Sequence, residues 1–292
     1  MNEHELLARK FEDERGRLRG VAYRMLGSLA DADDAVQETW LRLARTGDGG
    51  IENLGGWLTT VVGRVCLDML RSRKSRREEV LETHEPDAAA APASAAAPDP
   101  AVERQLANSV GLALLVVLET LSPAERLAFV LHDLFAVPFE EIGPIVGRTP
   151  EAARQLGSRA RRRVQGTPAV DGTELGRRRE VIDAFLAALR GGDLEALLRV
   201  LDPDLVVRAD VGGTLREVRG AREWAKGAMG FARLLEFVQP ALVDGSPGLV
   251  FAPGGKLARA LRFSFGADGR IASFELVTEP ARLQAIEVGV LG

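Results

Sequence analysis

The stretch Gly147-Arg-Thr-Pro-Glu-Ala-Ala-Arg-Gln-Leu-Gly-Ser-Arg-Ala-Arg-Arg-Arg-Val164 decides the fold of its surroundings, because it combines a helix start, an apolar stripe and a run of arginines. Thr149 is a suitable N-cap, and Pro150 occupies the first helical position, where its missing N–H does no harm. Small and apolar side chains recur at helical spacing and predict a buried stripe, formed by Ala152, Ala153, Leu156, Ala160 and Val164. The arginines lie mainly on the other side.

A second helix lies directly upstream of this stretch, and the two form a two-helix motif. Phe139–Val146 has the pattern of a short helix that stops at Gly147. Helix, short turn and basic helix together predict a helix-turn-helix, whose second helix can enter a DNA major groove. Arg, Gln and Ser near the helix start suit base edges, and the arginine run suits phosphates. The alternative is a solvated basic helix on an ordinary helical domain.

Composition limits the class of protein. A chain of 292 residues predicts two or three domains, and a net charge of −4 restricts any DNA affinity to local basic patches. Cys66 is the single cysteine, so no intrachain disulfide and no cysteine metal cluster can form. Neither a metal nor another cofactor is expected. No signal peptide and no membrane-spanning apolar run are recognisable, so a cytoplasmic protein without a membrane contact is expected.

The N-terminal part predicts helices with one acidic face. Residues 5–26 have helical periodicity, which Gly27-Ser28 interrupts. In the next helix Ala35, Val36, Thr39, Trp40 and Leu43 can face a core. The opposite side carries four polar residues and one leucine, namely Asp33, Asp34, Gln37, Glu38 and Leu41. This side could dock a basic partner helix, or it could simply be solvated.

A third helix ends in a second basic patch. After a glycine-rich loop over 47–56, Trp57 opens a helix with an apolar stripe at Leu58, Val61, Val62, Val65 and Met69. Its end, residues 71–77, has five basic residues in seven. This cluster indicates nucleic-acid binding or only a soluble helix end. Four residues near the helix start could contact an unpaired strand: Trp57, Thr59, Thr60 and Arg64.

Two linkers divide the rest of the chain. Residues 81–101 are rich in Ala, Pro, Ser and Asp and should be mobile. Helical periodicity returns at Val102–Leu121, and Ser122-Pro123 caps a helix over 124–135 whose Leu127, Phe129, Val130, Leu131 and Leu134 should pack against the helix-turn-helix. His132 is interpreted as structural and not as a ligand. The second linker covers 166–176.

The C-terminal part predicts an α+β domain. Two helices are followed by strands at 205–209, 239–243, 248–252, 257–265 and 271–278, with a hairpin signal at Ala267-Asp-Gly269. A curved antiparallel sheet behind two helices is expected. The fold class is therefore multidomain: two all-α domains followed by an α+β domain.

Long motifs resemble bacterial RNA polymerase sigma factors. Residues 11–77, with Tyr23–Ser28, Asp33–Leu41 and Trp57–Arg71, resemble region 2, and residues 121–164 resemble region 4. The absence of a region 3 domain is typical of the extracytoplasmic-function class, and the tail resembles the cone-shaped SnoaL-like fold. The resemblance implies these domains: 1–80 region 2, 81–101 linker, 102–166 region 4, 167–176 linker and 177–292 a SnoaL-like regulatory domain.

The resemblance also implies roles. The acidic face, Asp33, Asp34, Gln37, Glu38 and Leu41, falls where the family docks on the β′ clamp helices of core polymerase. Recognition of the −10 promoter element would fall to Trp57, Thr60, Arg64, Arg71, Arg73, Lys74, Arg76 and Arg77. Recognition of the −35 element would fall to Arg148, Thr149, Arg154, Gln155, Ser158, Arg159, Arg161 and Arg162. The long linker would span core polymerase between the two elements.

Three segments, two of them in the tail, depart from the family pattern. Leu81–Pro86 only partly matches the family's acidic-proline motif, Asp210–Gly213 partly matches a Gly-rich loop, and Thr278–Leu283 approximates an Asn-Pro-Asp-Lys-Leu motif.

Two alternatives remain beside the sigma factor. One is a helix-turn-helix regulator with a small-molecule-sensing tail, which would not need the acidic face. The other is an enzyme, for which Asp204, Asp210 and Glu275 are the candidate carboxylates. Residues 177–292 contain no Tyr, His or Cys, so no catalytic residue is assigned. The tail is expected to modulate activity by contacting region 2 or the linker.

Overall fold

The computed structural model describes residues 3–47, 49–83, 111–211, 214–228, 230, 235 and 237–291. These residues form two compact units. The first contains residues 3–83 and 118–161, and the second contains 111–117 and 162–291. Predicted residues 84–101 of the long linker and 102–110 of the following helix lie outside the described residues. Both described ends of the region 4 segment, 111–117 and 162–165, belong to the second unit, and the predicted domain bounds stay a prediction.

Three long helices open the first unit. They are α1 (Glu3–Leu26), α2 (Leu29–Thr46) and α3 (Leu54–Thr83). Gly27, at a φ of 72°, ends α1, and the Ser28 hydroxyl then accepts from the Asp31 amide as the N-cap of α2. Helix α3 begins three residues before the predicted start and continues three residues into the predicted linker.

Four shorter helices follow. They are α4 (Leu112–Thr120), α5 (Pro123–Phe129), α6 (Phe139–Val146) and α7 (Pro150–Gln165). Ser122 and Glu125 form a capping box at the start of α5. The helix continues past Phe129 as a π-turn over Val130–Leu134, where Leu134 is 37% exposed and so does not join the core as predicted.

The two segments that resemble regions 2 and 4 pack together within the first unit. Gly63 of α3 is buried, and a Cβ placed on it would lie 3.4 Å from Leu127 Cδ1, 3.5 Å from Leu131 Cδ1 and 3.7 Å from Ile145 Cγ2. The buried Arg126 donates from Nη1 to the Met25 carbonyl over 2.7 Å. Burial lowers the pKa of the Arg126 guanidinium, an effect that Glu119 opposes. Regions expected to be tethered loosely are therefore in direct contact.

The second unit pairs helices with a mixed sheet. Helices α8 (Gly172–Gly191), α9 (Leu194–Val200), α10 (Ala221–Ala228) and α11 (Pro280–Gln284) accompany the strands. The strands are β1 (Leu201–Val211), β2 (Thr214–Arg219), β3 (Val238–Val243), β4 (Ser246–Phe251), β5 (Arg259–Phe265), β6 (Ile271–Val277) and β7 (Val288–Gly289). Their order is β2-β1-β6-β5-β4-β3-β7.

The predicted fold class is confirmed, with two corrections. The sheet is not wholly antiparallel, because β1 and β6 are parallel neighbours. The second linker is shorter than predicted, because Asp171 accepts hydrogen bonds from the Thr173 and Glu174 amides and starts α8 at Gly172. Separate apolar clusters cover the two faces of the sheet. One contains Phe185 of α8 and Phe274 of β6, and the other contains Ala113 of α4 and Val250 of β4.

Candidate nucleic-acid and polymerase interface

The helix-turn-helix forms as the sequence predicts. Gly147 ends α6 in the left-handed region at a φ of 70°, and the Thr149 hydroxyl accepts from the Ala152 amide at the start of α7. The turn needs a glycine in α6, since a Cβ on Gly143 would lie 2.9 Å from the Arg148 carbonyl oxygen and 3.0 Å from the Pro150 nitrogen. Helix α7 is called the recognition helix below.

The recognition helix buries its small residues and presents its polar ones. Ala153, Ala160 and Val164 are buried, while Ala152 and Leu156 are half-buried. Seven of the eight predicted −35 residues are exposed, namely Arg148, Thr149, Arg154, Gln155, Ser158, Arg159 and Arg162. Gln155 lies three and four residues before Ser158 and Arg159, and Arg162 lies four and three residues after them, which places the four along one face.

Arg161 differs from the other predicted −35 residues. It is half-buried, and its Nε and Nη2 donate to the two carboxylate oxygens of Asp133 over 2.7 and 3.3 Å. These hydrogen bonds raise the pKa of the Arg161 guanidinium. Arg154 makes a looser arrangement, with Nη2 3.6 Å from Glu140 Oε1 and its guanidinium over the Phe139 ring. Arg161 therefore holds the recognition helix to the π-turn.

His132 has the structural role expected of it. Its Nδ1 lies 3.1 Å from the Val137 carbonyl oxygen, and its ring stacks on Phe139 with the centroids 3.9 Å apart. Within the part of the chain that the structure describes, no group of three His, Cys, Asp or Glu side chains is placed to hold a metal ion.

The acidic face of α2 is exposed, and its charges are partly paired. We call Asp33, Asp34, Gln37, Glu38 and Leu41 the docking face. Asp33, Asp34, Gln37 and Leu41 are exposed, and Leu41 retains 41% of its accessible surface. Asp33 accepts from Arg19 at 2.7 and 2.9 Å, and the half-buried Glu38 accepts from Arg42 at 2.9 Å. A helix face with three carboxylates and an exposed leucine suits a basic helix with an apolar stripe.

The predicted −10 residues lie along α3. Trp57 and Thr60 are half-buried, and Arg64 and Arg71 are exposed. Arg73 instead pairs with Asp31 and donates to the Leu26 carbonyl. The backbone of Lys74, Arg76 and Arg77 is helical, but their side chains lie outside the described part of the structure.

Thr59 cannot contact a DNA strand as predicted. Its side chain is buried, and its hydroxyl donates to the Gly55 carbonyl within α3. The apolar periodicity did not predict this burial, because Thr59 lies beside the stripe that contains Leu58 and is not part of it. Sequence reasoning also missed Gly63 and Arg126, which form the contact between the two predicted regions. A glycine within an apolar helical stripe was the available signal for close packing.

Comparison with known proteins defines the class. The Sigma-70 region 2 family matches residues 11–76, and the Sigma-70 region 4 family matches residues 111–164. The two family models end at residue 164, but alignments with whole relatives also include the α+β domain. The chain belongs to the extracytoplasmic-function (ECF) RNA polymerase sigma factors, as the resemblance predicted.

Two relatives and one solved structure come from Mycobacterium tuberculosis. The chain is 34% identical to the probable ECF sigma factor SigI, with all of both proteins covered. It is 38% identical to the ECF sigma factor SigJ, with 93% of this chain and 91% of SigJ covered. The crystal structure of SigJ aligns at 32% identity with a TM-score of 0.45, covering 95% of this chain and 98% of that one.

No helix among the described residues has both the length and the apolar character needed to span a bilayer.

Proposed function

We propose that this chain is an alternative sigma factor that directs core RNA polymerase to its promoters, using the docking face of α2, the basic side of α3 and the recognition helix. The observation that carries this proposal is an exposed acidic face that ends in the exposed Leu41, in the same unit as two helices with exposed arginines. A stand-alone helix-turn-helix regulator does not need the docking face. The cytoplasm, where core polymerase and promoter DNA meet, is the expected site of action.

Reconstituted transcription tests the proposal. Purified chain added to core polymerase should give promoter-specific run-off transcripts, and Asp34→Lys should reduce them by weakening binding to core. Asp13→Lys on the exposed side of α1 is the matched control, because it makes the same charge change away from the docking face. Equal loss with both variants would show that net charge, and not the docking face, determines core binding.

We infer further that the α+β domain modulates initiation by holding both ends of the region 4 segment. The Leu112 amide at the start of α4 donates to Gln239 Oε1 over 2.8 Å, and Ala113 joins an apolar cluster of the sheet. At the other end, the Val290 amide donates to the Val164 carbonyl over 2.7 Å. The predicted contact with region 2 or the linker stays a prediction.

A point substitution tests this modulation better than truncation. A chain ending near Gly166 would leave Ala113 and Val164 without these partners, so it would damage region 4 itself. A Cβ on Gly289 would lie 3.0 Å from Gly166 Cα and 3.1 Å from the Gln165 carbonyl oxygen, so Gly289→Val should push β7 away from the end of the recognition helix. The control is Gly176→Val, since a Cβ on Gly176 has no neighbour within 4 Å.

Run-off transcription should change with Gly289→Val and stay at the wild-type level with Gly176→Val. Unchanged output from Gly289→Val would refute modulation through this contact and leave the sigma assignment intact.

We also propose that the α+β domain binds a ligand and does not catalyse a reaction. Of the three candidate carboxylates, Asp204 is exposed, and Glu275 accepts from Arg282 at 2.6 Å. Only Asp210 lines the cavity of this domain. A turnover by the domain would need a second proton donor or an oxyanion donor, and Tyr, His and Cys are absent from the sequence of residues 177–292.

A further inference from the structure

One flank of the recognition helix faces acidic residues of the preceding elements. Arg154, Gly157 and Arg161 follow one another at spacings of three and four residues and so share this flank. Asp133 of the π-turn binds Arg161, and Glu140 of α6 lies beside Arg154. Both arginines of this flank therefore have a carboxylate within ion-pair distance, although both were predicted to contact the −35 element.

The two ion pairs differ in how firmly they hold their arginine. Arg161 donates two hydrogen bonds to Asp133, of 2.7 and 3.3 Å, and the Asp133 side chain is only 20% exposed. Arg154 Nη2 lies 3.6 Å from Glu140 Oε1, beyond hydrogen-bond distance, and the two side chains are 59% and 66% exposed. Because exposed ion pairs are weak, Arg154 can exchange its partner, whereas Arg161 is fixed.

An aromatic stack keeps Arg154 next to Glu140. The Arg154 Cζ lies 5.5 Å from the centroid of the Phe139 ring, and the His132 ring stacks on the same ring at 3.9 Å. Phe139 is buried, and a Cβ on Gly157 would lie only 3.1 Å from its ring atoms, so the ring lies directly against the recognition helix. Phe139 and Glu140 are adjacent in sequence. The start of α6 therefore sets both the position of the Arg154 guanidinium and the charge beside it.

A carboxylate at this place affects phosphates and bases differently. Non-specific DNA binding comes from cations that neutralise phosphates. Glu140 offsets the charge of Arg154 and repels any phosphate that approaches it. A guanine edge avoids this repulsion, because its O6 and N7 are neutral acceptors that take two hydrogen bonds from one guanidinium. Glu140 therefore weakens phosphate contacts of Arg154 more than a base contact.

We propose that Glu140 is a specificity-determining residue of −35 recognition, which withholds Arg154 from phosphates and reserves it for a guanine edge in the major groove. Arg154 is the fifth residue of the recognition helix, which begins at Pro150. It thus lies in the N-terminal part of the helix, where helix-turn-helix proteins contact base edges. This inference rests on the proposed sigma function, because it assigns a role within promoter binding.

The test measures fluorescence polarisation of a fluorescein-labelled duplex of scrambled sequence, titrated with the full chain at several KCl concentrations. Glu140→Gln should bind this non-specific duplex about two- to fivefold more tightly than the wild type, which is the fold-change that an exposed ion pair represents. The logarithm of its binding constant should also fall more steeply with the logarithm of the salt concentration, by up to about 0.9, because Arg154 then contacts a phosphate.

Glu141→Gln is the matched control. Glu141 is exposed and shares the first turn of α6 with Glu140, so its substitution removes the same charge and the same interaction with the helix dipole. Glu141→Gln should change the affinity and the salt dependence much less than Glu140→Gln. Equal gains from the two variants would overturn the proposal, because net charge alone would then explain them.

A double-mutant cycle identifies the residue through which Glu140 acts. When Arg154 is already replaced by alanine, Glu140→Gln should have no more effect than Glu141→Gln. A gain from Glu140→Gln that persists with Arg154→Ala would overturn the role of Glu140 as the residue that withholds Arg154.

Run-off transcription with core polymerase tests the guanine contact and separates the two proposals. Replacing the guanines of the −35 element by 7-deazaguanine, which lacks the N7 acceptor, should reduce transcription by the wild type and leave transcription by Arg154→Ala unchanged. An equal reduction for both proteins, or none for the wild type, would overturn the guanine contact. If the wild type gave no promoter-specific transcript on unmodified DNA, the proposed sigma function itself would fail.

Discussion

Gly63 offers a quantitative test of the contact between the region 2 and region 4 segments. It lies within α3, where replacing glycine by alanine stabilises a helix by about 0.8–1.0 kcal/mol. The added methyl would meet Leu127 and Leu131 at ordinary van der Waals distances of 3.4 and 3.5 Å. Its burial contributes roughly a further 0.8 kcal/mol. Gly63→Ala should therefore stabilise the first unit by about 1–2 kcal/mol and raise its unfolding temperature by about 2–8 °C.

An acidic residue at the same position should have the opposite effect. Gly63→Asp places a carboxylate against Leu127, Leu131 and Ile145, where an unpaired charge costs several kcal/mol, so the contact should open. Thermal unfolding followed by circular dichroism measures both variants. Gly16→Ala and Gly16→Asp are the matched controls, because Gly16 is exposed within α1 and a Cβ on it has no neighbour within 4 Å.

The contribution of the interface is the change in the free energy of unfolding at Gly63 minus the change for the same substitution at Gly16. Gly16→Ala should give the helix contribution alone, and Gly16→Asp should be mild. If Gly63→Asp destabilised the chain no more than Gly16→Asp, α3 would not pack on Leu127, Leu131 and Ile145 in solution, and the reasoning would fail.

Three further predictions use other contacts. Burial raises the pKa of the Cys66 thiol to about 12 from 9.0, so at pH 8 its thiolate fraction should be roughly 1000-fold smaller than that of an unperturbed thiol. Labelling of Cys66 by a disulfide reagent should therefore be slow until denaturant is added. Equal labelling rates in the native and denatured protein would contradict the burial. Gly143→Ala should destabilise the helix-turn-helix by about 1–3 kcal/mol, since its Cβ would collide with the Arg148 carbonyl; a higher unfolding temperature would refute this. Arg159→Ala should reduce, by about one unit, the slope of the logarithm of the −35 duplex binding constant against the logarithm of the salt concentration. Arg161→Ala should reduce this slope less, because Arg161 is already bound to Asp133. The reverse order would mean that the ion pair of Arg161 with Asp133 opens on DNA.

Local chemistry made the helix-turn-helix predictable. Each signal affects only the helix end next to it in sequence, and the structure has all three in the predicted roles. Gly147 ends the first helix, Thr149 caps the second, and Pro150 occupies its first position. The exposure of Asp33, Asp34, Gln37 and Leu41 was predictable for a similar reason, since a helix with a 3.6-residue period sorts its own side chains between core and solvent.

Non-local pairing limited the prediction of the sheet. The parallel contact of β1 with β6 joins residues 67 or more positions apart, such as Val207 and Phe274, and no local pattern records it. Strand β2 escaped notice because Thr214–Arg219 is polar and lies at the edge of the sheet, where alternation is weak. Two glycines, at 172 and 176, hid the start of α8, although the Asp171 cap outweighs their low helix propensity.

The long Ala/Pro linker suggested that the two regions of the sigma fold act as separate bodies. Tertiary packing overrides that inference, because Gly63 lets α3 approach α5 and α6 closely, and Arg126 ties α5 to the end of α1. The sequence could not assign the fate of each basic side chain either. Arg73 and Arg161 have the same composition signal as Arg71 and Arg159, yet they bind Asp31 and Asp133.

The bond between Leu112 and Gln239 also has a consequence for synthesis on the ribosome. Its two residues are 127 positions apart, so at about 5–20 residues per second the start of α4 emerges roughly 6–25 s before its partner strand exists. During that interval the run Leu112-Ala-Leu-Leu-Val-Val-Leu118 has no sheet to cover it. Nascent chains interrupted before β3 therefore expose an apolar helix, which makes them substrates for chaperones and proteases and ties the production of a working region 4 to completion of the tail.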